Sequence, residues 1–158
     1  MPARPLPEFA VERWFNLAGT AAPSMAGRVV AIEAFQMLCP GCVSHGLPQA
    51  MRLVSAFGPE LLVLGLHTVF EHHEAMTPVA LEAFLYEYRI SFPVGVDRHE
   101  PDDPMPVTMR RFGLQGTPSL LLVDRGGRLR FQGLGAVEDL RLGALVGRLL
   151  DEPAPSVD

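Results

Sequence analysis

The sequence predicts a single α/β domain, a central mixed β-sheet with helices on both faces. Three observations carry that expectation. Residues 28–35 and 60–68 are near-continuous apolar runs, the mark of strands covered on both faces, and a helical pattern lies between them. Strand, helix and strand in so short a stretch form a βαβ unit, so the two strands are expected to run parallel. Residues 119–123, the turn Asp124-Arg125-Gly126-Gly127 and the alternating residues 128–132 read as an antiparallel hairpin.

Taken in order, residues 1–8 are rich in Pro and polar side chains and read as a flexible arm. Residues 9–17 form a candidate edge strand holding the single Trp, and 18–27 a Gly/Ala/Pro/Ser loop. Val43, Leu47, Met51, Val54 and Phe57 recur at spacings of three and four, predicting a helix over 41–57. Pro48 falls inside that pattern and is expected to kink the helix without ending it. Thr77-Pro78 reads as an N-cap with Pro at the first helical position, opening a helix to about residue 89. Residues 92–96 are a short extended segment and 98–106 a Pro- and acid-rich loop. Residues 107–112 form one or two helical turns stopped by Gly113. Residues 137–150 form a closing amphipathic helix with Leu140, Leu142, Leu145, Val146, Leu149 and Leu150 apolar, and the tail 152–158 is expected to fray. All 158 residues fit one domain, with a core over about 25–150.

Composition excludes several function classes. With 48% apolar and 20% charged residues, the chain has the make-up of an ordinary globular domain. The formal charge is −5, every one of the 13 basic residues is Arg, and no basic cluster stands out. Neither a nucleic acid nor an anionic membrane is therefore expected as partner. No apolar window is long enough to span a bilayer, and the N-terminus lacks the apolar stretch of a signal peptide, which sets the expectation of a cytoplasmic location.

The chemistry centres on Cys39-Pro40-Gly41-Cys42, which holds the only two cysteines and follows a buried strand. A lone Cys-x-x-Cys pair in that place points to redox chemistry or to metal. Cys39 falls at the start of a helix, where unpaired N–H groups and the helix dipole favour a thiolate, so it is the natural nucleophile. Cys42, one turn inward, is then the resolving thiol. Glu33 interrupts the apolar strand, and an unpaired buried carboxylate is costly. Kept desolvated, it is suited to take the proton from Cys42. Thr117-Pro118 opens the third apolar strand, a place proline tolerates; in a cis form it would leave neighbouring backbone free to pair with an extended peptide.

This order of strand, Cys-Pro-Gly-Cys helix, strand, Gly-Thr-Pro and hairpin resembles the thioredoxin-like redoxins, and most closely the TlpA-like thiol–disulfide oxidoreductases. The resemblance runs from about Met25 to Leu150. It implies a thioredoxin-like fold, with Cys39 as exposed nucleophile, Cys42 as buried partner, Pro118 as a cis-proline facing them, and Glu33 at the buried acid position. Residues 69–96 are similar to the helix-containing insertion of that branch, and Asp124-Arg125-Gly126-Gly127 to its hairpin. The pattern is departed from at Leu38, where Trp is usual, in the dipeptide Pro40-Gly41, and at Pro48, one residue later than usual.

Two other readings use the same residues. Cys39 and Cys42 with His45, His67, His72 or His73 could form a zinc or copper module. A redoxin peroxidase with antioxidant activity would require Thr or Ser three residues before the cysteine and Pro four residues earlier still, where this chain has Gln36 and Ile32. His45, one turn past Cys42, is also a candidate to tune it. The expectation is a thiol–disulfide oxidoreductase acting on protein thiols and disulfides with a redox partner protein. Cys39, Cys42 and Glu33 carry the chemistry, Pro40, Gly41, Thr117 and Pro118 shape the substrate groove, and neither organic cofactor nor metal is required.

Overall fold

The computed structural model describes residues 2–18 and 21–156. Its centre is one seven-stranded sheet made of β1 (Arg4–Pro5), β2 (Val11–Phe15), β3 (Val29–Phe35), β4 (Leu61–His67), β5 (Val94–Asp97), β6 (Ser119–Val123) and β7 (Arg128–Leu134). The spatial order is β1-β7-β6-β3-β4-β5-β2, with β3, β4 and β5 parallel and every other pairing antiparallel. The mixed sheet, the βαβ unit and the 119–132 hairpin all take the form expected. Residues 9–17 do supply an edge strand, paired antiparallel to β5.

Strand alternation explains the two cores. All seven residues of β3 are buried. Val29, Ala31 and Phe35 point to the core shared with α1 (Leu47–Phe57), α2 (Pro78–Glu87) and α4 (Asp139–Asp151), while Val30, Ile32 and Ala34 point to the core closed by α3 (Val107–Phe112) and the N-terminal segment. Glu33 keeps the odd-numbered phase and so lies on the α1 face. Thr77 caps α2 as expected, its hydroxyl accepting the Ala80 N–H at 3.2 Å. Gly113 ends α3 at φ +69°, a conformation open to glycine without strain.

Three expectations need correction. The arm at 1–8 is not free: Arg4 and Pro5 pair with Leu129 and Arg128, and the Leu6 N–H donates to the Gly127 carbonyl. The helix after the cysteines is not uniform. The helical path begins at Pro40, widens to a π-turn over Cys42–Gly46, and continues as α1 from Leu47, with Pro48 just after the junction. The wider turn ends just before Pro48, where the proline's missing N–H falls at the change of hydrogen-bond pattern, and the helix continues past it to Phe57. The buried face becomes Leu47, Ala50 and Leu53, and Met51, expected inside, is exposed. In α4, Leu140 is likewise exposed, and Leu142, Val146 and Leu149 make the contact. The expected fraying at the ends falls partly on Met1, Val157 and Asp158, and the 18–27 loop partly on Gly19 and Thr20, all outside the described residues. No described helix is long and apolar enough to cross a membrane.

Candidate functional site: a dithiol between a buried carboxyl and a cis-proline

β3 delivers the chain into a tight turn at the edge of the core. The Cys39 N–H donates to the Gln36 carbonyl at 3.1 Å, and the Val43 N–H to the Cys39 carbonyl at 3.1 Å. Cys39 is therefore fixed directly before the first helical turn, half-buried, while Cys42, where the π-turn begins, is fully buried. Both thiols are free, and the Cys42 N–H points at Cys39 Sγ, 3.3 Å away. An N–H aimed at sulfur favours the negative charge of a thiolate there. Cys39 Sγ also lies 3.5 Å from the Thr117 carbonyl. Burial pushes the Cys42 thiol up to about 12, helped by its contact with the Cys39 side chain. Two adjacent sulfurs are thus made unlike by their surroundings.

The Thr117–Pro118 peptide is cis, and Pro118 packs over the dithiol turn. A Cβ added to Gly41 would lie 3.3 Å from Pro118 Cδ, so the glycine between the cysteines permits close approach. Gly46 serves the same end more strictly: a Cβ there would overlap Glu33 Oε1 and stand 2.9 Å from Pro118 Cβ. Glu33 is 2% exposed, and its Oε1 has no hydrogen-bond partner among the described residues. Burial raises its pKa well above the usual carboxylate range, and the charge of Cys39 raises it further. Its charged form is thus disfavoured beneath the sulfurs, so a carboxylate there takes up a proton readily, and Oε1 is left without a partner among the described residues.

Of the residues expected at the site, Glu33, Pro40, Gly41, Thr117 and Pro118 all converge on Cys39 and Cys42. The histidines are not gathered at the sulfurs, although His72 lines the cleft beside Cys39. His45 Nε2 lies 3.2 Å from the Val137 carbonyl, and its described hydrogen bonds reach neither sulfur. His73 Nε2 lies 3.0 Å from the Pro104 carbonyl. His67 is buried at the end of β4, where its Nε2 accepts the Met37 N–H at 3.2 Å. Among the described residues no three His, Cys, Asp or Glu side chains are grouped to hold an ion.

Two contributors escaped the sequence reading. Gln36, buried, donates from Nε2 to Thr117 Oγ1 at 3.4 Å and accepts the Phe70 N–H on Oε1 at 3.1 Å. One carboxamide so joins the cis-proline loop to the loop after β4. Its only sequence signal is a polar residue directly after a buried strand. Gly46 had none, because the close approach it allows, to Glu33 and to the sequence-distant Pro118, is set by tertiary placement.

No family model and no curated protein matches the chain. Solved structures do. One described as a thioredoxin-like superfamily protein is 53% identical over 96% of this chain and 99% of its own, with a TM-score of 0.90. A thiol-disulfide isomerase from Corynebacterium glutamicum is 47% identical over 94% of this chain and 97% of its own, also at 0.90. A thioredoxin-like protein in its oxidized form, at 21% identity and a TM-score of 0.75 over 94% and 95% of the two chains, shares the fold. A Cys-x-x-Cys dithiol set in this fold is the working part of a thiol–disulfide oxidoreductase. With more than half of its residues matched over nearly its full length, the chain belongs to the thioredoxin-like superfamily.

Proposed function

We propose that the protein exchanges disulfides with protein substrates through Cys39 and Cys42, in the manner of the TlpA-like branch. The observation that carries this reading is the inequality of the two sulfurs. Cys39 is half-buried with an N–H aimed at it, and Cys42 is buried and held as a thiol. Cys39 thiolate attacks a substrate disulfide, forming a mixed disulfide and releasing one substrate thiolate. Cys42 then attacks Cys39 Sγ, releasing the second and closing the Cys39–Cys42 disulfide. Glu33 takes the Cys42 proton, which burial would otherwise keep in place. Pro118 and Thr117 offer backbone to an extended substrate, and Pro40-Gly41 sets the approach.

The branch assignment rests on the helix α2 lying between β4 and β5 and on the Asp124–Gly127 hairpin turn, where Asp124 Oδ1 accepts the Gly126 and Arg128 N–H groups. The peroxidase reading gains nothing from Gln36, whose carboxamide is engaged on both sides in place of a free hydroxyl.

The test is reduction of a protein disulfide by the dithiol, followed through single variants. Cys39→Ser is expected to abolish turnover, and Cys42→Ser to accumulate a mixed disulfide on Cys39. Turnover by the Cys39→Ser protein would overturn the reading. The potential of the pair then assigns direction, a value near about −270 mV suiting a reductant and one near about −120 mV an oxidant.

A further inference from the structure

Beside Cys39 Sγ lies an open cleft of about 350 Å³. That volume is at the low end of small-molecule sites, about 300–1,000 Å³, enough for the group flanking one sulfur of a disulfide. One wall is Gly116-Thr117, the other Phe70, Glu71, His72 and Met76. Gln36 ties the walls together at the base, so the cleft is a built feature whose two sides are hydrogen-bonded to one buried carboxamide.

Its chemistry is lopsided. Leu38, Phe70 and Met76 supply apolar surface, Leu38 being 53% exposed. Glu71 is the one carboxylate on the lining, and no arginine lies there. The arginines near the adjoining 98–106 loop are already paired, Arg98 with Glu100 and Arg110 with Asp103. His72, beside Glu71, is the one basic side chain on the lining, and no permanently charged cation stands there to compensate a carboxylate brought in by a substrate.

We propose that this cleft selects disulfides whose flanking group is cationic or neutral with apolar surface, and disfavours polyanionic ones, with Glu71 as the specificity-determining residue. The inference rests on the thiol–disulfide exchange proposed above. In each turnover the reduced dithiol supplies two electrons: the substrate S–S bond breaks, two substrate thiols leave, and the Cys39–Cys42 S–S bond forms. The cleft acts on the first step, where one substrate half must lie beside Cys39 Sγ.

The test uses the full chain in its reduced form and three small disulfides: cystamine (dicationic), hydroxyethyl disulfide (neutral) and glutathione disulfide (net anionic). A carboxylate on the cleft lining, screened by water, is expected to favour the dication over the anion by ~3- to 10-fold in the second-order rate constant for a single oxidation of the dithiol, after correction for the intrinsic rates of each disulfide with a free dithiol. The preference is expected to shrink as salt is raised. Glu71→Gln is expected to lower the cystamine-to-glutathione ratio, and Glu71→Arg to invert it. Equal corrected rates in the wild type, or a ratio unmoved by Glu71→Arg, would overturn the inference while hydroxyethyl disulfide is still reduced. Failure to reduce any of the three would instead sink the exchange reading itself.

Discussion

Gly46 is pressed against the carboxyl of Glu33: a Cβ at Gly46 would overlap Oε1 and come within 2.9 Å of Pro118 Cβ. The π-turn, β3 and the cis-proline loop are thereby kept at a separation that only hydrogen allows. Gly46→Ala is expected to force the turn away from both neighbours and to cost ~1–3 kcal/mol, as overpacking in a core does. Urea unfolding of the reduced protein measures this. A variant as stable as the parent would show that the turn yields freely.

Glu33 links the same spot to pH. Its folded-state pKa is raised above the ordinary value of 4.5, burial being the larger cause and the Cys39 charge the smaller. A raised folded pKa means the native state holds the proton more tightly than the unfolded chain does. The stability this contributes is complete below 4.5 and is lost as pH rises through the folded value. Glu33→Gln keeps the shape and removes the titration, so the variant is expected to gain on the wild type as pH rises from 4.5 to the folded value and to keep a constant lead beyond it. The gain is expected to come with slower release of substrate from the Cys42→Ser-sensitive mixed disulfide, since the proton acceptor is gone. Unfolding midpoints of both proteins between about pH 4 and 9 decide the first point, and parallel curves would refute it.

Much of this was readable beforehand. The strands β3, β4 and β6 announced themselves as apolar runs because both faces of each are covered, and Glu33 stood out because it breaks one. Cys39, Cys42, Thr117 and Pro118 could be named because their chemistry is tied to residue type. The π-turn was not readable: the periodicity of Val43, Leu47 and Met51 fits an unbroken α-helix, and the wider turn is selected by packing against Glu33 and Pro118. Gln36 and His67 were missed as supports for the same reason. Their partners, Phe70, Thr117 and Met37, are set by tertiary placement.

Cys42 is expected to be almost inert as a lone nucleophile. It is fully buried, and burial pushes the thiol up to about 12. In a Cys39→Ser protein the largest cause of that shift, desolvation, persists. Alkylation of Cys42 near neutral pH is expected to run ~100-fold or more below that of a free cysteine, and to recover in denaturant. A rate close to that of the free amino acid in the folded variant would show the thiol to be accessible and ionised.

His67 supports the dithiol turn from below. Its Nε2 accepts the Met37 N–H, so the neutral ring carries its proton on Nδ1, which faces no acceptor among the described residues. Phe35 packs against the ring at 5.1 Å between centroids. Burial lowers the pKa from 6.5 to about 4. A lowered folded value means the unfolded chain binds the proton first. The stability contributed by the neutral ring is present above 6.5 and is lost as pH falls towards 4, on the order of 3 kcal/mol in all. Protonation also turns the acceptor for Met37 into a donor and frees the turn that carries Cys39. His67→Gln offers an amide oxygen to the same N–H and does not titrate. It is expected to flatten the acid limb of the stability curve while retaining disulfide exchange at neutral pH. His67→Leu, with no acceptor, is expected to be less stable at every pH and to leave the Met37 amide fast to exchange with solvent hydrogen. An acid limb unchanged in His67→Gln would assign that pH dependence to other groups.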